Sequence, residues 1–327
     1  MSAGHGPNLG HGFVKYVVID ADGHELPPVV FPALVARAGR AVAGALTQIQ
    51  VARAAGGRWW TGADALLSPA PIALLAQERL ADPAFIPALL AGALGRLGEL
   101  NGAARGGCVT GLPATWATDV AKARTLGERL RGATDLYTRI RVIPEPLGLL
   151  YSVLLDTHGR MVGDPALQHG RVGALDLGHH TDDFAILDRQ RPVPSSLATY
   201  QLGTARPLQQ IRAMLTATFE RDFTLYEVDQ AVRAGCVTIA GQRRPLPRGW
   251  DRPLLDNGER LAAQLVEALG RAADLEALLL GGGGAASERK VAAIQRRFPH
   301  AQVVDRPQLA IAVGYARLAR RLDLEAA

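Results

Sequence analysis

Two short polar turns, one at the opening of each half of the chain, constrain the fold more than any other feature. In the first, Asn8-Leu9-Gly10-His11-Gly12 feeds the β-branched run Phe13-Val14-Lys15-Tyr16-Val17-Val18-Ile19, which closes on Asp20-Ala21-Asp22-Gly23. In the second, Val172 to Leu175 reads as a buried strand, Asp176 to Asp183 as a polar turn, and Phe184 to Leu187 as the returning strand. A tight turn at a strand end points backbone N–H groups into one concavity, and glycine lets an anion approach the chain closely. Both turns are therefore candidate phosphate nests.

After each turn the pattern passes from strand pairs to strands alternating with helices. In the first half, Val29 to Val35 carries Pro32, which favours an edge or a bulge, and Thr47 to Arg53 with Arg58 to Thr61 reads as a hairpin around Gly56-Gly57. A helix over Phe85 to Leu100, a strand at Cys108 to Thr110, a helix from Asp119 to Arg131, a strand from Arg139 to Ile143 and a helix after Pro146 follow. The second half is read as helices over Ala205 to Phe219 and Tyr226 to Ala234, a strand at Cys236 to Ala240 and a surface loop over Gln242 to Pro253. Helices Asn257 to Ala273, Ala286 to Phe298 and Pro307 to Leu322 then alternate with strands Leu275 to Leu280 and Gln302 to Val304. The repeated order predicts two mixed α/β units with a cleft between them, and 327 residues at about 150 per domain agree with two domains.

Composition narrows the class further. A hydrophobic content of 48% excludes a mostly disordered chain, and no apolar run approaches the roughly 18 residues of a membrane span. The start MSAGHGPNLG has neither the basic nor the apolar stretch of a signal peptide, so a cytoplasmic protein without a membrane partner is expected. Cys108 and Cys236 stand far apart, which excludes a disulfide framework and a zinc knuckle. The formal charge is +5, yet only Lys15, Lys122 and Lys290 are lysines among the cations. A chain that writes Arg almost everywhere but Lys at residue 15 points to a compact charge being needed beside the first turn. Arg243-Arg244, Arg296-Arg297 and Arg317 to Arg320 read either as solvated faces or as contacts with other subunits or a DNA-bound adaptor. No recognition-helix motif for reading DNA directly stands out.

A third glycine-rich stretch, Leu280-Gly281-Gly282-Gly283-Gly284-Ala285, falls between a strand and a helix, where a flat ligand can lie against the backbone. It matches neither GxxxxGK[ST] nor GxGxxG. In order and spacing the three turns resemble the actin-like ATPase superfamily. Asn8 to Lys15 is similar to its first phosphate loop, Asp176 to Asp183 to its second, and Leu278 to Ala285 to its adenosine motif. The segment Arg139-Ile-Arg-Val-Ile-Pro-Glu145-Pro-Leu-Gly resembles its connecting segment with a catalytic Glu or Gln. Val29 to Ala36, Trp60 to Ala65, Gly111-Leu-Pro and Arg306 to Tyr315 are most similar to ParM-type plasmid-segregation actins and their archaeal relatives.

The resemblance implies an α/β actin-like fold, with two RNase H-like domains around a nucleotide cleft. Domain I would span 1–160, with a C-terminal helix at about 307–327 packing back onto it, and domain II 161–306. It implies an ATPase that uses ATP and Mg2+, polymerises into filaments by self-association, and serves plasmid or DNA segregation through a DNA-binding adaptor. Asn8, Gly10, His11, Gly12 and Lys15 would hold phosphate from one side, and Gly178, His179 and Thr181 from the other. Asp176 would hold the metal through water, Glu145 would orient or deprotonate the attacking water, and Gly282, Gly283 and Gly284 would flank the adenosine. The chain departs from the pattern in four respects. Asn8 replaces an Asp, which puts rapid hydrolysis in question and leaves a nucleotide-binding switch or scaffold as the alternative. The strand before the first loop lacks apolar residues, Asp182 stands where a second Thr is usual, and His11, His179 and His180 gather three imidazoles around the loops.

Overall fold

A computed structural model of the chain describes residues 2–39, 49–74, 76–99, 104–269 and 274–325. The first half contains β1 (Ala3–Leu9), β2 (Phe13–Ile19), β3 (Val29–Pro32), β4 (Val35–Arg37), β5 (Ala52–Ala54), β6 (Gly57–Thr61), α1 (Ala76–Ala81) and α2 (Phe85–Glu99). It continues through β7 (Gly106–Leu112), α3 (Val120–Ala133), β8 (Tyr137–Pro144) and α4 (Glu145–Leu154). After α5 (Pro165–His169) the second half builds β9 (Arg171–Leu177), β10 (Asp182–Asp188), β11 (Arg191–Pro192), β12 (Ala198–Tyr200), α6 (Ala205–Phe219) and α7 (Leu225–Ala234). It ends with β13 (Cys236–Ile239), β14 (Gln242–Pro245), α8 (Arg252–Leu269), β15 (Ala277–Gly281), α9 (Glu288–Arg297), β16 (Ala301–Val303) and α10 (Ala310–Leu324).

The two main sheets repeat one topology. One runs β3-β2-β1-β7-β8 and the other β11-β10-β9-β15-β16, with β12 also paired to β10. In each, the opening hairpin pairs antiparallel (β1 with β2, β9 with β10), and the later strands join its first member in parallel. This is the two-sheet α/β arrangement that the repeated sequence order predicts. Two small antiparallel additions stand apart, β4-β6-β5 in the first half and β13-β14 in the second. Pro32 does end a strand: β3 is the edge of its sheet, and the chain resumes as β4 at Val35. The Gln242 to Pro253 stretch is not the loop expected of its Pro and Arg content. Gln242–Pro245 pairs back on Cys236–Ile239, and α8 already begins at Arg252. Of the hairpin expected around Gly56-Gly57, Thr47 and Gln48 lie outside the described residues, as do Leu100 and the last four residues of the helix expected to end at Ala273.

The strand before the first turn is where structure corrects expectation most clearly. Ala3–Leu9 is a fully formed strand, buried over Ala3 to Asn8, without a large aliphatic side chain in that stretch. Its apolar partner is supplied from outside. Helix α10 lies so close that a methyl at Gly4 would overlap the Ala316 carbonyl, and one at Gly6 the Ala312 carbonyl. On the opposite face His5 bonds the Tyr16 hydroxyl at 2.9 Å and the Ala104 carbonyl at 2.8 Å, and Tyr16 bonds Tyr137 at 2.8 Å. The same closeness joins α10 to α4, where a methyl at Gly314 would overlap the Gly148 carbonyl. Between the two sheets, α4 and α10 share one apolar cluster containing Leu147, Leu149, Leu150, Ile311, Tyr315 and Leu318, together with Ala174 and Leu279 of the second sheet.

Candidate active site

The two opening hairpins present their turns to each other. Register places Asn8 opposite Lys15 in one and Asp176 opposite Asp183 in the other. Gly281, at the end of the parallel strand β15, sits beside Asp176, so the third glycine stretch begins where the second turn does. One small cavity of about 40 Å3 is lined by Asn8, Gly10, His11, Gly12 and Lys15 from the first turn, and by Asp176, Gly178, His179 and Thr181 from the second. Glu145 at the start of α4 and Gly283 and Gly284 complete this lining. Gly282 lies just behind: its φ is +82°, and a methyl there would overlap the Asp176 carboxylate. All the residues the sequence singles out for phosphate, metal and adenosine are thus brought to one place, together with Thr204, Asp229 and Arg233, which it does not single out.

The glycines are close-fitting. At Gly10 a methyl would stand 3.1 Å from Lys15 Nζ and 3.2 Å from Asn8 Oδ1, so the space above that pair stays open only without a side chain. Lys15 Nζ lies 3.4 Å from Asn8 Oδ1. Across the gap, a methyl at Gly12 would stand 2.7 Å from His179 Cβ. The second turn is tied to the start of α6 by backbone hydrogen bonds from Thr204 to Gly178 at 3.1 Å and from Ala205 to His179 at 2.7 Å.

Charge and burial oppose each other here. Desolvation, reinforced by Asp176 and Asp183, pushes the Glu145 carboxyl up to about 8, while Lys15 and Arg79 pull against it. Asp176 is raised to about 7, chiefly by burial, against the attraction of Lys15. Burial lowers Lys15 as well, although Asp176 and Glu145 support its charge. His11 is held well below its ordinary range by burial and by the neighbouring Arg79, and burial lowers His179 too. Opposite charges thus gather in a buried pocket, each shifted toward its neutral form.

The imidazoles do not form a metal site. His11 and His180 lie with ring centroids 5.3 Å apart and planes tilted by 42°, but among the described residues the only trio of possible ligand atoms within 4.8 Å of one another is Asp20, Asp22 and His24, at an exposed turn.

Three further groups were not legible as site residues. Arg79, from α1, is 5% exposed and donates to the Leu9 carbonyl at 2.6 Å, which brings a buried guanidinium under the first turn. Its distance in sequence and its membership of a short helix gave no signal. Asp182, the apparent departure in the second turn, does not face the cavity. Its carboxylate receives Lys290 Nζ at 2.9 and 2.7 Å in a pair with no exposure at all, and the same ammonium donates to the Leu202 carbonyl at 3.0 Å. The rarity of lysine was the available sign, and it applied to residue 290 as much as to residue 15. Asp183 collects Ala114 N–H at 2.7 Å, Thr199 Oγ1 at 2.6 Å and Thr181 Oγ1 at 2.7 Å, so one carboxylate ties the segment after β7 to the second turn.

A wider cavity of about 580 Å3 opens beside the first and shares Thr204, Asp229, Arg233, Gly283 and Gly284 with it. Trp250, Leu208, Leu254, Ser287 and Arg289 line its far side. A polar slot running into a roomier, partly apolar chamber fits an elongated ligand with an anionic end. The groove of about 990 Å3 between the β5–β6 turn and α3 is larger but has none of these groups.

No protein-family model and no curated protein matches the sequence. Solved structures do match. The 15-stranded ParM filament from Clostridium botulinum is 16% identical, with a TM-score of 0.72 over 98% of this chain and 99% of that one. An archaeal actin homolog in complex with ADP is 18% identical, with a TM-score of 0.70 over 99% of each chain. ParM of Bacillus thuringiensis with ATP is 14% identical, with a TM-score of 0.66 over 99% of each. The chain has the actin-like fold. The two repeated sheets and the paired helices α4 and α10 between them are its framework here, and the cavity described above lies between the two hairpin turns of that actin-like framework.

Proposed function

We propose that the protein binds ATP with Mg2+ in this cleft, hydrolyses it, and polymerises into filaments in a nucleotide-dependent way. The observation that carries the reading is the convergence in one cavity of Lys15 and the Gly10–Gly12 turn, the Gly178–Thr181 turn, Asp176 and Glu145, with the glycine stretch opening into the wider chamber. The backbone around Gly10, Gly12 and Gly178 and the Lys15 ammonium would hold the phosphates, and Gly282, Gly283 and Gly284 would back the nucleoside. The donor set suits a hydrated cation: Asp176 offers an oxygen ligand, and Asn8 can add its amide oxygen. When bound, Mg2+ would supply charge to the phosphate oxygens. Glu145 would orient the attacking water and accept its proton, and a pKa raised to about 8 suits a base near neutral pH. We divide the chain into domain I over 1–160 with α10 and domain II over 161–306, a reading that the two repeated sheets support, and opening between them would admit the nucleotide.

The solved relatives include ParM filaments, which supports head-to-tail self-association; contacts of that kind that do not close generate open filaments. Segregation of plasmid or other DNA through a DNA-bound adaptor is the role we assign, on the motif resemblance to ParM-type actins. The decisive experiment is ATP-dependent sedimentation with parallel phosphate release, on wild type, Glu145→Ala and Asn8→Asp. Wild type should pellet with ATP above a critical concentration and release phosphate, with release lost in Glu145→Ala by about 100-fold or more. Protein that stays in the supernatant at high concentration with ATP refutes the filament reading. Asn8 favours one second reading, a slow-hydrolysing nucleotide switch, because an amide brings no negative charge to the metal site. Phosphate release that stays near background in wild type and rises in Asn8→Asp would select it.

A further inference from the structure

Tyr315 lies at the floor of the site without belonging to its lining. It has no exposure, and its hydroxyl makes no hydrogen bond of good geometry among the described residues, although the Asn8 side chain stands within reach of it. It comes from α10, whose other inward residues, Ile311, Val313 and Leu318, are aliphatic and hold the helix in the core. Packing alone would be served as well by phenylalanine, and an unpaired buried hydroxyl is a net cost. Its location supplies the reason. A methyl at Gly111 would collide with the Tyr315 hydroxyl on one side and stand 3.0 Å from Glu145 Cγ on the other, so the missing side chain at residue 111 leaves phenol and carboxylate facing across one gap. Asn8 is near enough to the same hydroxyl to bond it, and the charges of Glu145, Asp176 and Asp183 all act on it.

We propose that Tyr315 is a positioning residue: in the nucleotide-bound state its hydroxyl donates to the Glu145 carboxylate across the gap over Gly111 and fixes the direction in which Glu145 meets the attacking water. This rests on the hydrolytic reading above. The hydroxyl donates a hydrogen bond and keeps its proton; the proton from water goes to Glu145. With Asn8 adding no charge, a neutral donor behind Glu145 holds it ionised without competing for the phosphates.

The test is Tyr315→Phe, with ATP affinity, kcat and KM for phosphate release, and thermal unfolding measured on full-length protein. The expected result is kcat lower by about tenfold or more, ATP affinity and KM within about twofold, and an unfolding temperature that is not lower, since the ring still fills its site. In a Glu145→Gln background the same change should add no further loss, because the two residues act as one unit. Wild-type kcat in Tyr315→Phe overturns the inference while leaving the hydrolytic reading intact, and so does a loss that appears equally in affinity or stability. Wild type that binds ATP but releases no phosphate overturns both hydrolysis and this inference, and wild type that binds no nucleotide overturns the site itself.

Discussion

At the scale of single residues, the site is a set of charges that burial pushes toward neutrality. Glu145 would titrate near its ordinary 4.5 in the unfolded chain and is raised to about 8 in the fold; Asp176 moves from 3.8 to about 7. Between these values the folded state holds more protons on the two carboxyls, so their contribution to stability is full below about 4 and is lost as pH rises toward about 8, while His11 and His179, lowered by burial, act in the opposite sense. Glu145→Gln should therefore make the unfolding temperature of nucleotide-free protein fall less, or rise more, across that window than in wild type; a profile of identical shape would contradict the assignment. The Asp182–Lys290 pair adds a case in which a partner is in direct contact: burial still raises Asp182 to about 7, but the bonded Lys290 ammonium pulls against it. Lys290→Met leaves a lone buried carboxylate and should destabilise the protein by about 3–5 kcal/mol, measured by denaturant unfolding, with most of the loss recovered on adding Asp182→Thr. The glycine turns and the lysine at residue 15 were legible because each carries a local pattern, glycine spacing after a strand or a rare residue type, whereas Glu145 was reached only through the resemblance of the segment from Arg139 to Gly148 to the actin-like connecting segment. Arg79, Asp182 with Lys290, and Tyr315 were not, because each acquires its role from a partner distant in sequence.

Elements tell the same story from the side of packing. β2 and α6 were readable to the residue, since a β-branched run and an amphipathic stretch declare themselves. β1 was unreadable for a definite reason: hydrophobic periodicity marks strands that bury side chains, and β1 instead buries its backbone under α10. Glycine at residues 4 and 6 is the sign of that contact, visible as a sign only once the helix is in place. Gly6→Ala should push α10 off the strand and cost about 1–3 kcal/mol in denaturant unfolding. Substitution at Gly56, where a side chain meets nothing within 4 Å, is the control for added bulk, although its φ of +69° adds backbone strain of its own. Because α10 also carries Tyr315, the Gly6 variant should lose activity together with stability, whereas Tyr315→Phe should separate the two.

For the molecule as a whole, the duplicated topology was legible from the order of strand pairs and helices, while the manner in which the halves meet was not. They are joined through Asp183, which binds Ala114 of one half and Thr181 and Thr199 of the other, and through the side chains of Thr115 and Thr199 at 3.0 Å. Above these ties, Gly12 and His179 come together with no room for even one more carbon. Gly12→Ala should hold the nucleotide-free protein slightly wider, read as a larger radius of gyration by small-angle scattering, and should narrow the difference between the free and ATP-bound forms. On the reading proposed above, that one contact makes the gap between the halves a gauge: glycine against imidazole sets how near the two turns can come at that point, and a triphosphate lodged between them would act as a shim that sets the width of the whole subunit. A subunit dimensioned in that way would present to its neighbours one shape before the terminal phosphate is lost and another afterwards.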